Sequence, residues 1–143
     1  AVPGVDAWVL AADTIVHLDA AILGKPTDPP HAAHMLRQLS GVWHKVTTSW
    51  CLRWTGPSVS PTGQRLLRGH KTSRVRFRSL TEVEIHRYIA TEEGVDKAGG
   101  YAVQGDGASL IERVVGSTTN VIGLPMDVLG PVLESLGIVR EPA

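Results

Sequence analysis

The sequence predicts a single α/β domain built around a mixed sheet flanked by helices. Three observations predict it. Ala7 to Leu18 contains a near-continuous apolar run, as in a central strand covered on both faces. Ala32, Met35, Leu36 and Leu39 recur at helical spacing. Strand-like and helix-like segments then mix along the chain instead of segregating. The chain has 143 residues, enough for one domain with its own core.

The elements follow in order. After the 7–18 strand, Asp19-Ala20 reads as a turn and Ala21-Ile22-Leu23 as a short returning strand. Asp28 is suited to cap the next helix, with Pro29 at its first position and Gly41 as its stop. Val42 to Trp54, rich in Val, Thr and Trp, reads as a strand. A Pro- and Gly-containing loop over 56–63 leads to a second strand, Gln64 to Arg78, forming a hairpin with the first. Thr81 with Glu84 is a capping box for a helix to about Ala90. A strand is expected over Ala108 to Val115. A closing helix runs from Pro125 to Leu136, with Leu129, Val132, Leu133 and Leu136 on one face and Gly137 beyond it.

Bulk properties restrict the function. The formal net charge is zero and the apolar share is 43%, so the overall charge does not call for nucleic acid or a membrane surface. The single cysteine, Cys51, excludes an internal disulfide and reads as a core residue. No apolar run reaches membrane-spanning length and no signal-peptide pattern opens the chain, so a cytoplasmic location is expected.

The densest chemistry lies in Asp96-Lys97-Ala98-Gly99-Gly100-Tyr101-Ala102-Val103-Gln104-Gly105. Adjacent glycines admit a ligand close to the backbone, a lysine offers a point charge to phosphate, and an amide can read a base edge. Asp13 stands where an apolar strand turns polar; a carboxylate there can hold a metal or orient water, or simply bond nearby backbone. Lys25, between Gly24 and Pro26, is either a phosphate contact or an exposed turn lysine. His31 and His34 have metal-compatible helical spacing, but no companion ligands for a zinc site are evident. Arg74, Arg76 and Arg78 alternate along a strand, which suits either a nucleic-acid patch or a solvated face.

In order, Ala12-Asp13-Thr14-Ile15-Val16, Leu23-Gly24-Lys25-Pro26, Met35-Leu36 through Leu39-Ser40-Gly41, Val75-Arg76-Phe77, the 96–105 stretch and Asn120-Val121-Ile122-Gly123-Leu124-Pro125 resemble the Maf family of nucleotide pyrophosphatases. The resemblance implies an elongated, twisted sheet with a nucleotide cleft, and hydrolysis of a nucleoside triphosphate to monophosphate and pyrophosphate. It implies Asp13 as proton acceptor and metal ligand, with Lys25 and Lys97 against the phosphates. It implies Thr14 and Gln104 as specificity residues, and a divalent metal, Mg²⁺ or Mn²⁺. The Asp-Lys-Ala-Gly-x-Tyr form with Gln104 resembles the branch acting on dTTP and UTP. Relatives suggest a homodimer.

Two departures accompany the resemblance. The family opens with a strand and a Ser-x-Ser-x-Arg-Arg phosphate-binding motif, and residue 1 falls beyond it. The expectation is therefore one domain over 1–143 without that strand, with an exposed edge or groove, and catalysis that depends on whether the segment is dispensable or present in the native chain. The alternative is a non-catalytic nucleotide-binding or interaction module. Second, Ser117 stands where many relatives carry an acidic residue.

Overall fold

A computed structural model describes residues 5–138. The elements are β1 (Ala7–Leu18), β2 (Ala21–Leu23), α1 (Pro29–Leu39), β3 (Trp43–Thr55), β4 (Leu66–Phe77), α2 (Glu82–Ala90), β5 (Ile111–Val115), α3 (Thr118–Ile122) and α4 (Met126–Ser135). The strands form one five-stranded sheet in the order β2-β1-β3-β4-β5. Every described pairing is antiparallel, so the α/β class stands while the expected mixed sheet does not appear among the described residues. β1–β2 and β3–β4 are hairpins, linked by Asp19-Ala20 and by residues 56–65.

Local chemistry explains the element boundaries. Asp19 adopts φ 51° in the β1–β2 turn, a left-handed geometry that Asp tolerates better than most residues. Asp28 caps α1 by accepting from the His31 N–H at 2.8 Å, and prolines occupy its first turn. Thr81 and Glu84 make the expected reciprocal capping box on α2.

Strand β3 alternates strictly. His44, Val46, Thr48, Trp50 and Leu52 are buried, while the intervening residues are half-buried or exposed. Two apolar clusters cover the buried face. One joins Val16, Val46, Val75 and Phe77 to Leu36 and Leu39 of α1 and Ile85 of α2. The other joins Trp50 and Leu52 to Leu129 and Leu136 around α4. Burying each large aliphatic side chain contributes about 1.5–3 kcal/mol. Thr48 stands on β3 between the two clusters, and that polar gap lies beneath the site.

Some sequence expectations need correction. β1 pairs along nearly its whole length with β3, but among the described residues β2 covers only Val16 to Leu18, so there residues 7–15 lie at a sheet edge and are half-buried or exposed. The 108–115 strand begins only at Ile111, because Gly105–Leu110 winds as a 3-10 turn. α3 was not anticipated: it is five residues long and rich in β-branched Thr, Val and Ile, a composition without helical preference. Cys51 is only half-buried and falls in the alternation opposite the packed face, not in either cluster.

Candidate active site

Ala12, Asp13 and Thr14 of β1 border a cleft of about 330 Å³. Lys25, the 96–98 and 101–104 segments, and Val121 to Gly123 complete its walls, with Val16, Val46 and Tyr101 as apolar lining. Asp13, Thr14, Lys25, Lys97 and Gln104, five positions spread over 92 residues of sequence, therefore converge on one concavity.

The two lysine-bearing loops are tied together by backbone. The Gly99 N–H donates to the Gly24 carbonyl at 3.0 Å, one residue from Lys25 and two from Lys97. Gly99 adopts φ 75°, and a Cβ there would lie 3.1 Å from Val16 Cγ2. Both the turn and the close approach to β1 require glycine. Among the described residues Lys97 has a loose ion-pair partner in Asp96, at 3.9 Å, which leaves its ammonium capacity for an anion.

Gln104 is positioned from beneath. Glu93 accepts from the N–H groups of Asp106 at 3.0 Å and Gly107 at 2.9 Å, and from the Tyr88 hydroxyl at 3.1 Å. Tyr88 in turn accepts from the Ala102 N–H at 2.9 Å. The chain on both sides of Gln104 is thereby fixed to α2 and the turn after it. Desolvation raises the Glu93 pKa, but the hydrogen bonds from Gly107, Asp106 and Tyr88 outweigh it and hold the carboxyl below its ordinary range. Sequence reasoning missed this clasp, since neither Glu93 nor Tyr88 lies in a recognisable motif.

Asn120 was also missed as a contact residue, although its motif was noticed. It is fully buried, and its side chain accepts from the Thr48 N–H at 3.2 Å and donates to the Val46 carbonyl and Ser73 Oγ, each at 3.0 Å. It fills the polar gap between the two clusters and fixes α3, whose last residues border the cleft. Ser117 caps α3 by accepting from the Asn120 N–H at 3.1 Å and donates to Asp127 at 2.7 Å. Serine at this position thus has a structural task.

The remaining candidates disperse. The His31 ring accepts from the Thr27 N–H at 3.0 Å, and no cluster of three or more His, Cys, Asp and Glu exists among the described residues. Arg74 and Arg76 lie over the Trp43 ring at 4.7 and 6.0 Å, whereas Arg78 pairs with Glu84 at 2.7 Å. The three arginines do not make one free basic face. No helix among the described residues is long and apolar enough to cross a membrane.

The cleft offers two carboxylates, Asp13 and Asp96. Carboxylates are the hard oxygen donors that Mg²⁺ and Mn²⁺ take together with waters and substrate phosphate oxygens, and two of them fall short of the closed ligand set of structural zinc.

Comparison with known proteins gives a concordant result. The family described as Maf-like protein matches residues 3–136. A dTTP/UTP pyrophosphatase of Pyrococcus furiosus is 44% identical over 126 residues, covering 88% of this chain and 62% of that protein. Those of Pelotomaculum thermopropionicum and Syntrophotalea carbinolica are 45% and 47% identical, covering 92% and 93% of this chain and 66% and 58% of theirs. The chain spans about three fifths of the length of these curated relatives.

Proposed function

This chain belongs to the Maf-like protein family, and from that premise we propose that it hydrolyses dTTP, UTP or modified pyrimidine triphosphates to the monophosphate and pyrophosphate. The observation that carries this reading is the convergence of Asp13, Thr14, Lys25, Lys97 and Gln104 on one cleft. Similarity to relatives named dTTP/UTP pyrophosphatase supports the choice of substrate. Residues 1–143 are read as a single Maf-like domain.

In this mechanism Asp13 accepts a proton from water as its oxygen attacks the α-phosphorus. The bond from that phosphorus to the bridging oxygen breaks, and pyrophosphate leaves. Lys25 and Lys97 offset the charge of the phosphates. Thr14 and Gln104 select the base. Asp13, with Asp96 nearby in the lining, would hold Mg²⁺ or Mn²⁺, and such an ion neutralises phosphate charge when bound. The same reading carries a cytoplasmic enzyme acting as a homodimer, which size-exclusion chromatography tests.

The deciding assay is pyrophosphate release from dTTP, UTP, CTP and a methylated GTP with Mg²⁺ or Mn²⁺, using this chain and Asp13→Asn. Release from dTTP or UTP that Asp13→Asn abolishes is the expected result. An Asp13→Asn chain with undiminished turnover overturns the assignment. Nucleotide binding without any turnover favours a non-catalytic binding module instead.

A further inference from the structure

Thr14 borders the cleft, and its Oγ1 stands 2.7 Å from Oγ1 of Thr48 beneath it. Thr48 is fully buried, and its Oγ1 also lies 3.0 Å from the backbone carbonyl oxygen of Asn120. A carbonyl oxygen only accepts, so that contact uses the single hydroxyl hydrogen of Thr48. Thr48 then has no hydrogen for Thr14. Both contacts are satisfied together only when Thr14 donates to Thr48 and Thr48 donates to Asn120.

The Asn120 end of this chain is fixed. Its Oδ1 meets a backbone N–H, from Thr48, and its Nδ2 meets a backbone carbonyl, from Val46, so only one amide orientation pairs both atoms. Ser73 agrees with the same count: its hydroxyl donates to the Ser117 carbonyl at 2.7 Å, which leaves its oxygen free to accept from Asn120 Nδ2. Every hydrogen in the network has one consistent place, and the last of them draws the Thr14 proton away from the cleft.

We infer that Thr14 meets the nucleotide as a hydrogen-bond acceptor only, held in that state by Thr48 and Asn120, and that this selects uracil and thymine over cytosine. The inference rests on the nucleotide reading above. Uracil and thymine carry a ring imide N–H that can donate to Thr14. The corresponding ring nitrogen of cytosine carries only a lone pair, which would face the lone pairs of Thr14. Gln104 does not discriminate by itself, because rotating its amide presents either a donor or an acceptor. Thr48 and Asn120 are positioning residues in this scheme; Thr14 is the residue that touches the base.

The test is calorimetric binding of dTMP and dCMP to this chain and to Thr48→Val, Thr48→Ser and Thr14→Val. Thr48→Val keeps the side-chain volume but removes the acceptor, so the Thr14 hydroxyl becomes free to donate. The unsubstituted chain is expected to prefer dTMP by about tenfold or more, the equivalent of one hydrogen bond. In Thr48→Val that ratio falls toward one because dCMP binding improves, while Thr48→Ser keeps it. A purely structural role for Thr48 would weaken both nucleotides equally and leave the ratio unchanged, which overturns the inference. If Thr48→Val fails to fold, Thr14→Val decides: a preference that survives it overturns the inference equally. Equal binding of dTMP and dCMP by the unsubstituted chain sinks the inference alone. Absence of binding to either nucleotide sinks the nucleotide reading and the inference with it.

Discussion

His44 Nε2 lies 2.6 Å from the Tyr101 hydroxyl, with both residues enclosed at 3% and 5% exposure. The two rings pack edge-on with each other and with Phe77, at centroid distances of 4.7 to 5.6 Å. Tyr101 is also cleft lining, so an aromatic core cluster and the candidate site share one side chain. Burial lowers the His44 pKa to about 4, with a smaller contribution from His17, and burial raises that of Tyr101.

The His44 shift makes stability pH-dependent in a defined direction. Its folded pKa lies below the unfolded value of 6.5, so protonation favours the unfolded chain. The contribution is complete above pH 6.5 and is lost as pH falls toward 4, amounting to about 3 kcal/mol over that window. Thermal melts of His44→Phe should show a weaker decline between pH 6.5 and 4.5 than the parent. Identical slopes would refute the assignment.

Asn120→Ala removes the partner of the Thr48 N–H, the Val46 carbonyl and Ser73 Oγ together. Leaving such groups buried and unpaired costs about 2–4 kcal/mol in total. A melting temperature lower by about 10 °C is expected. A shift of a degree or less would mean that water replaces the amide there.

Glu93→Ala releases the N–H groups of Asp106 and Gly107 and one partner of Tyr88. Amide hydrogen exchange should accelerate at Ala102, Asp106 and Gly107, and KM for the pyrimidine triphosphate should rise more than kcat falls. Unaltered exchange at those amides would show that Gln104 is held by other means.

Lys25→Ala and Lys97→Ala each remove one cation from the cleft. Each should lower kcat/KM by about tenfold or more, the range for losing a charge-stabilising contact. Binding of the uncharged nucleoside should change little. Equal losses for nucleoside and triphosphate would locate the lysines away from the phosphates.

Gly99→Ala places a methyl group on a residue at φ 75° and 3.1 Å from Val16 Cγ2. Left-handed strain alone costs about 1 kcal/mol or more. Reduced stability together with weaker triphosphate binding is expected, because Lys97 and Lys25 are joined through this loop. A calorimetric and melting profile matching the parent would show that the loop has slack.

What was legible in the residues was local. The Asp28 cap, the Thr81–Glu84 box and the Asp19-Ala20 turn are decided by neighbours a few positions apart, and each appears where the sequence put it. Asp13, Thr14, Lys25, Lys97 and Gln104 were identifiable because they stand in ordered motifs. Their meeting in one cleft was not readable from spacing. It follows from β1 lying beside β3 and from the Gly99–Gly24 bond between two loops. Asn120, Glu93 and His44 escaped sequence reading for the same reason: a buried polar side chain takes its role from partners as many as 74 positions away. Their propensities give no hint of those partners. Only the packed structure brought Thr14, Thr48 and Asn120 into one network and clasped the 102–107 loop to Glu93 and Tyr88.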